Sequence, residues 1–285
     1  MRRITALTIA LLFVLAALAQ TPPGPFETTS LLGRKLYALS DDGTLAAAQQ
    51  KLAADPANPT LVLALSKAQA ARRQYKEAIA TCTIGLRSVP NNADLLLERG
   101  HRELGLRQFS AAQKDLERAT AVNPQQLDSF YHLALAFYFQ SHFDKAADSF
   151  RKARDLAKTS DSLIDCSNWL YVSLRRAGGK AAAQQVLARI TPDVHNTEPH
   201  LLFYLKLLHF YQGLATEQQI LPPKPTSPND VESELSFNTV SYGIGNWHLY
   251  NGDRPAALQL FRPVVTGEAW NSWGFIGSEL ELSHK

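Results

Sequence analysis

The most constraining feature of the sequence is a period of 34 residues that runs through its middle. Pro56, Pro90 and Pro124 are each separated by 34 residues, and four further columns keep the same step. Five columns that share one register over three copies exceed what chance produces, so each copy is one structural unit in a tandem array. The four further columns are Tyr75/Phe109/Phe143, Ala78/Ala112/Ala146, Cys82/Leu116/Phe150 and Gly85/Ala119/Ala153.

Each unit contains two predicted helices. In the third copy, apolar residues recur at i, i+3, i+4 and i+7, which is one face of a helix. A second such face begins at Phe143, after a break at Ser141 and His142. A hairpin of two helices is too thin to bury its own apolar face, so neighbouring units must stack. The first face consists of Phe130, Leu133, Ala134 and Phe137.

This 34-residue unit resembles the tetratricopeptide repeat (TPR), and the resemblance is strongest over residues 59–160. It implies an all-α fold, a right-handed superhelical solenoid of helix–turn–helix repeats with a C-terminal capping helix. It also implies a concave groove, lined by the first helices, that binds a protein or peptide partner. The expected organisation is a signal peptide at 1–19, an N-terminal segment at 20–43, a TPR array at 44–221 that is degenerate over 161–221, a Pro-rich linker at 222–230, and a TPR-like repeat with the capping helix at 231–285.

The N-terminus has the pattern of an export signal. A short basic start, Met1-Arg2-Arg3, precedes an apolar run from Ile4 to Leu18 and a small-x-small site that ends at Ala19. About 15 apolar residues are short for a membrane-spanning helix, which needs about 20. We expect cleavage near Ala19, a periplasmic or extracellular location and no membrane span in the mature chain. An uncleaved N-terminal anchor is the alternative.

Charge and cysteine content exclude several classes of protein. Without Arg2 and Arg3 the chain carries 27 basic and 26 acidic residues, a net charge of +1 that is too small for a nucleic-acid binder. Two cysteines cannot form a disulfide scaffold. Cys82 and Cys166 fall in different repeats, about five helix spacings apart, so we expect both thiols to be unpaired.

No motif predicts catalysis, a cofactor or a metal. Gly178-Gly179-Lys180 lacks the spaced glycine and the Ser or Thr of a phosphate loop, and it is better explained as a repeat turn. His195, Glu198 and His200 come nearest to a metal cluster. They lie on both sides of a predicted helix start, so a third fixed ligand would have to come from elsewhere in the chain. We therefore expect a chain that is not an enzyme.

A second aromatic stripe on the first helix of repeat three is the predicted partner-binding site. Tyr131, Leu135 and Tyr138 lie at i, i+4 and i+7, turned away from the core face. Such a stripe is either a contact with the next repeat or a recognition surface. The predicted partner-binding residues are Leu97, His101, Arg102, Tyr131, His132, Leu135, Tyr138 and Phe139.

Three further expectations concern charged groups. His101 and His132 occupy positions of consecutive repeats that can lie close together. Arg99 stands in a usually apolar column and needs a carboxylate partner, Asp115 or Glu117. Glu279 and Glu281 are expected on the solvent side of the capping helix.

The sequence thus favours a non-catalytic scaffold that binds a protein or peptide of unknown identity. Some TPR proteins grip a partner's carboxylates with Lys and Asn, but of the equivalent positions here only Lys67 is basic with certainty. The alternatives are a metal-dependent enzyme that uses the groove histidines and a structural assembly subunit.

Overall fold

The computed structural model describes residues 24–198, 202–227 and 230–284, so the predicted signal peptide lies outside the described residues. Within these ranges, two short strands precede fourteen α-helices. The strands are β1 (Phe26–Thr29) and β2 (Lys35–Tyr37), and the helices are α1 (Leu45–Ala54), α2 (Pro59–Ala71), α3 (Tyr75–Ser88), α4 (Ala93–Gly105), α5 (Phe109–Val122), α6 (Leu127–Phe139), α7 (Phe143–Asp155), α8 (Ser160–Arg176), α9 (Lys180–Leu187), α10 (Leu202–Tyr211), α11 (Glu217–Ile220), α12 (Val231–Tyr250), α13 (Arg254–Val264) and α14 (Trp273–Ser283).

The helices stack as tandem hairpins, which confirms the predicted all-α repeat fold. Helices α2 and α3, α4 and α5, and α6 and α7 form the three strongest repeats, and each packs on the next. The first helices of these repeats also contact one another directly, α2 with α4 and α4 with α6. We call the surface that α2, α4, α6 and α8 share the inner face.

The turn between the two helices of each repeat has a recurring left-handed residue. In the three strong repeats it is Arg73, Arg107 or Ser141, with φ of 57°, 64° and 61°. In the later hairpins a glycine takes this role, as in the turn at Gly178, where φ is 84°. A side chain with positive φ is unfavourable, whereas glycine adopts that conformation freely. The Gly178-Gly179 pair is therefore a repeat turn, as predicted.

Small residues lie where paired helices touch. Ala78, Ala112 and Ala146 are completely buried. A Cβ atom added to Gly100 would lie 2.7 Å from Cγ of Leu116, so that position also requires close approach. The 34-residue columns are therefore packing columns.

The two cysteines are unpaired and buried, as predicted. Cys82 lies within 3.2 Å of the Ser66 hydroxyl, and burial raises the pKa of its thiol to about 11. Burial also raises the pKa of Cys166. Both therefore act as small core residues.

The N-terminal segment adds a β-hairpin that the sequence pattern did not indicate. Strands β1 and β2 pair antiparallel, and Gly33 with a φ of 87° lies in the turn between them. Leu36 of β2 is 1% exposed, and its core cluster joins repeat one to the C-terminal helices. Strands of three and four residues are too short to leave a clear period of two in the sequence.

The C-terminal helices lie against the inner face. Helix α12 contacts α8 and α10, and α14 packs on α12 and α13. The Trp270 ring meets the Tyr75 ring edge-on with centroids 5.3 Å apart, which places the loop before α14 at repeat one. The expectation that Glu279 and Glu281 face solvent is wrong, because they are 0% and 7% exposed and α14 is enclosed between the repeats and α12.

Leucine at position 146 is expected to overpack repeat three. The added methylene groups have no space between α6 and α7, so Ala146→Leu should lower the free energy of unfolding by about 1–3 kcal/mol. Chemical denaturation followed by circular dichroism measures this change. The matched control is Ala111→Leu, at an exposed helical alanine, which should stay within about 0.5 kcal/mol of the parent. Equal stabilities for the two variants would contradict this packing.

Candidate functional site

The predicted aromatic stripe is buried against the chain's own elements. Tyr131, Leu135, Tyr138 and Phe139 are between 0% and 6% exposed. The Tyr131 hydroxyl donates a hydrogen bond of 2.9 Å to Asp165 on α8, the first helix of the next repeat. Of the two roles that the sequence left open for this stripe, the structure shows contact with the next repeat and corrects the expectation of an open recognition surface.

Helix α12 covers the stripe at its far end. The Tyr138 hydroxyl donates to Oδ1 of Asn246 at 3.1 Å and accepts from the Tyr242 hydroxyl at 3.1 Å. Both partners lie on α12 and are buried. Burial raises the pKa of Tyr138 to about 12, so the phenol stays protonated and remains a donor.

The two histidines lie together, as the sequence predicted, beneath a tryptophan of α14. The ring centroids of His101 and His132 are 4.1 Å apart, and the Trp273 ring lies 5.3 Å from the first and 5.9 Å from the second. The contact between His132 Nδ1 and the carbonyl oxygen of Asp128 is 2.7 Å. The pair is therefore part of the surface on which α14 packs.

Burial keeps both imidazoles neutral. It lowers the pKa of His101 well below 6.5, and the charge of Arg102 lowers it further. Burial also lowers the pKa of His132, although its bond to the Asp128 carbonyl acts in the opposite direction. A neutral pair stacks on an indole ring without the repulsion that two imidazolium ions would add.

The structure offers no candidate metal centre within the residues it describes, where no three His, Cys, Asp or Glu side chains are grouped suitably. His195 lies within 2.7 Å of the Asp193 carbonyl through Nδ1. The third member of the predicted cluster, His200, lies outside the described residues.

The described helices also include none long and apolar enough to cross a bilayer.

A buried ion pair ties α14 to the turn of repeat two. Arg107 and Glu279 are 3% and 0% exposed at their side chains, and Nε lies 2.8 Å from Oε2. The other carboxylate oxygen accepts from the backbone N–H of Leu31, at the tip of the β-hairpin, at 2.8 Å. Glu279 thereby joins the hairpin, repeat two and α14. The sequence could not reveal this contact, because its members are 172 and 248 residues apart.

Two further arginines are also paired within the chain. Arg99 forms a two-pronged pair with Asp115, with Nη2 2.8 Å from Oδ1, which confirms the first of the two predicted partners. Arg176 binds Glu281 of α14 at 2.5 Å and the Asn246 amide oxygen at 2.9 Å.

One end of the inner face stays open as a cavity of about 520 Å³ between α2, α4 and the start of α12. We call it the basic cavity, because Lys67, Arg73 and Arg102 line it. Among the predicted site residues only Arg102 lies there, and Leu97 is half-buried against the core clusters. Lys67 is visible in the sequence as a basic residue of a first helix. The other walls come from distant parts of the chain, including Leu39, Val231 and Asn271.

The comparisons with known proteins agree with this architecture. Residues 97–161 match the family model of the tetratricopeptide repeat. The chain is 24% identical over 119 residues to the TPR repeat-containing protein YpiA of Bacillus subtilis, which covers 42% of this chain and only 27% of that protein. Its fold is similar to that of a tetratricopeptide repeat protein from Parabacteroides merdae, with a TM-score of 0.51, 16% identity and coverage of 85% and 90% of the two chains.

A further similar structure is that of YrrB, described as a TPR protein with an unusual peptide-binding site. It has a TM-score of 0.47 and 12% identity, and the match covers 78% of this chain and 93% of YrrB. The matched segment, residues 97–161, therefore contains tetratricopeptide repeats. The fold of this chain is a TPR solenoid.

Removal of the Glu279 charge is expected to destabilise the protein strongly. Glu279→Gln leaves Arg107 buried without a counter-ion, which costs about 3–5 kcal/mol of the free energy of unfolding. Urea denaturation measures this loss. The control is Asp148→Asn, which breaks an ion pair whose side chains are 43% and 76% exposed and should cost at most about 1 kcal/mol. If Glu279→Gln lowers the free energy of unfolding no more than the control does, the Arg107–Glu279 ion pair does not stabilise the docking of α14.

The contribution of His101 and His132 to stability is expected to fall as pH falls below 6.5, because their folded pKa values lie below their unfolded ones. As pH falls, the histidines of the unfolded chain bind protons before those of the folded protein. The stability that the neutral pair contributes is therefore complete above the unfolded pKa and is lost progressively as pH falls from there to the folded pKa. The urea midpoint of unfolding should change less favourably from pH 7.5 to pH 5.0 for the parent than for the double variant His101→Gln/His132→Gln. Parallel pH profiles would contradict the neutral pair.

Proposed function

We propose that this chain is an exported, non-catalytic scaffold that binds a peptide or protein partner at the basic cavity. The observation that carries the proposal is the division of the inner face. Its middle is filled by the chain's own α12 and α14, whereas the end at repeats one and two stays open.

The size and lining of the basic cavity support this role. Ligand cavities typically measure about 300–1,000 Å³, with apolar walls and a few fixed polar groups. Here the apolar side chains of Leu39 and Val231 are 37% and 44% exposed, and Lys67 is exposed on α2. The cavity therefore suits a few residues of a partner rather than a long helix.

The proposed absence of catalysis is supported by the use of charged groups on the inner face. Arg102 binds Glu98, with Nε 2.8 Å from Oε1 and Nη2 3.1 Å from Oε2. The histidines pack under Trp273, and the ion pairs of Glu279 and Glu281 fasten α14. These groups hold the fold together.

Export is supported by the basic, apolar and small-residue pattern of residues 1–19. N-terminal sequencing of the protein from the secreted and envelope fractions tests this part of the proposal. The expected first residue is Gln20. A chain that begins at Met1 in the cytosolic fraction would contradict export.

Photo-crosslinking tests the binding site. A benzophenone amino acid at Val231, on the rim of the basic cavity, should crosslink a defined partner in the native host. The control position is Ile84, which is 60% exposed on α3 and does not line the cavity. Lys67→Glu should abolish the Val231 crosslink, whereas Lys114→Glu, at an exposed lysine of α5, should preserve it. Equal crosslinking at both positions, or a crosslink that resists Lys67→Glu, would overturn the proposed site.

A further inference from the structure

The β-hairpin carries a concentrated share of the exposed apolar surface. In the described part of the chain, nine large apolar side chains are exposed, and four of them lie between residues 26 and 39. Phe26 is 43% exposed at the start of β1, and Leu31 and Leu32 are 42% and 44% exposed at the tip. Scattered apolar residues on a surface need no explanation, but a group of this kind marks an interaction surface.

The tip holds its two leucines on a backbone whose N–H groups are all bonded within the chain. The Ser30 N–H donates to the Arg34 carbonyl oxygen at 2.7 Å, and the Gly33 N–H donates to the Ser30 carbonyl oxygen at 3.0 Å. The Ser30 hydroxyl oxygen accepts from the N–H groups of Leu32 and Arg34 at 3.2 and 3.0 Å. The N–H of Leu31 donates to a carboxylate oxygen of α14 at 2.8 Å. All five N–H groups of the turn are thus satisfied without water.

These bonds prepare the tip for an apolar environment. An N–H group that loses its water without gaining another acceptor is costly to move into lipid, and each N–H of this turn already has an acceptor. The turn is also fixed before any contact is made, because Gly33 adopts a φ of 87° and Arg34 Nη2 lies 2.6 Å from Oε1 of Glu268 in the loop before α14. Little conformational entropy is therefore lost when the two leucines are buried.

The outer face of the hairpin adds a cation and an aromatic pair. Lys35 is exposed on β2 and lies opposite Thr29, at the strand ends next to the tip. Further from the tip, the rings of Phe26 and Tyr37 meet edge-on with centroids 5.9 Å apart. The single acidic residue between positions 24 and 40 is Glu27, which is 1% exposed. The hairpin surface is therefore apolar and basic.

The acidic side chains around the hairpin leave the charge of Lys35 in place. Glu268 and Asp42 form ion pairs with arginines. Asp41 and Glu77 are exposed, but they belong to the base of the hairpin and to α3, away from the tip. Apolar groups that enter the acyl boundary, rings at the level of the headgroups and a lysine that attracts anionic lipids are the combination that binds a membrane interface.

We propose that the β-hairpin docks the protein on a membrane surface that contains anionic lipids, with Leu31 and Leu32 in the acyl boundary and Lys35 at the headgroups. The contact is peripheral, because the tip enters the interface while its backbone bonds stay intact. This inference goes beyond the proposed function and does not depend on the basic cavity or on its partner.

Co-sedimentation with lipid vesicles tests the docking. The assay uses the mature chain that begins at Gln20, so that the apolar run of residues 4–18 cannot contribute. The chain should bind vesicles of phosphatidylethanolamine and phosphatidylglycerol about fivefold more tightly than vesicles of phosphatidylcholine, because a lysine near the surface is attracted to anionic lipids. Added NaCl should reduce this difference, since salt screens exposed charges. Absence of binding, or equal binding to the two kinds of vesicle, would overturn the inference.

Matched variants locate the contact on the hairpin. Leu31→Ser/Leu32→Ser should weaken binding to the anionic vesicles about tenfold, because it removes the apolar groups that enter the interface. The control is Ile84→Ser/Val122→Ser, at side chains that are 60% and 44% exposed on α3 and α5, and it should bind like the parent. Lys35→Glu should also weaken binding, whereas Lys114→Glu on α5 should not. Equal losses in the tip variant and its control would overturn the assignment to the hairpin.

A local probe covers the case in which the serine variant does not fold. An environment-sensitive NBD dye is attached at Leu32→Cys or, as the control, at Ile84→Cys, and the natural cysteines are buried in the folded chain. Anionic vesicles should shift the emission of the dye at position 32 to shorter wavelength and leave the dye at position 84 unchanged. The same response at both positions would contradict insertion of the tip.

A second copy of the chain as the occupant of this surface gives a different result. If the chain does not bind vesicles but forms a dimer in analytical ultracentrifugation, and Leu31→Ser/Leu32→Ser dissociates that dimer, the hairpin is an interface between copies and the membrane inference is wrong. A monomer that binds anionic vesicles through the tip supports it.

Discussion

Glu279 is the residue on which the arrangement of the whole chain depends. Its carboxylate is 0% exposed and accepts hydrogen bonds from Arg107 in the turn of repeat two and from Leu31 at the tip of the β-hairpin. Removing two charges from water is expensive, so such a pair persists only where the surrounding packing holds both groups in place. The packing is supplied by Trp270 and Trp273 on one side and by the first helices on the other. The β-hairpin, the array and the C-terminal helices are thus joined at one point.

The consequence is that C-terminal helices of the same chain occupy the groove of the repeat array. An open solenoid would expose Tyr131, Tyr138 and Phe139 in its groove, and here they are core residues. The hydroxyl groups of Tyr131 and Tyr138 find partners on α8 and α12, which offsets the cost of burying them. The proposed binding is then confined to the part of the inner face that α12 and α14 leave uncovered. The basic cavity, with Lys67 and Arg73 in its walls, occupies that part.

The local features of this fold could be predicted from the sequence, because they depend on residues 34 positions apart or fewer. The 34-residue columns located the close contacts at Ala112 and Ala146, and the odd arginine at position 99 predicted its pair with Asp115. The adjacency of His101 and His132 followed from the same register. Each of these contacts joins neighbouring helices, so the period alone determines it.

The remaining features depend on where the C-terminal helices dock, and no local pattern encodes that choice. Glu279 and Glu281 looked like solvent-facing charges because their partners, Arg107 and Arg176, lie 172 and 105 residues away. The basic cavity could not be predicted for the same reason, since Arg73 and Asn271 come to line one cavity only after docking. Hydrogen exchange of α14 amides such as those of Phe275 and Ile276 tests the docking most directly. These amides should exchange only through global unfolding, together with the amides of α4 and α6. Exchange of α14 within seconds while α4 and α6 stay protected would contradict it.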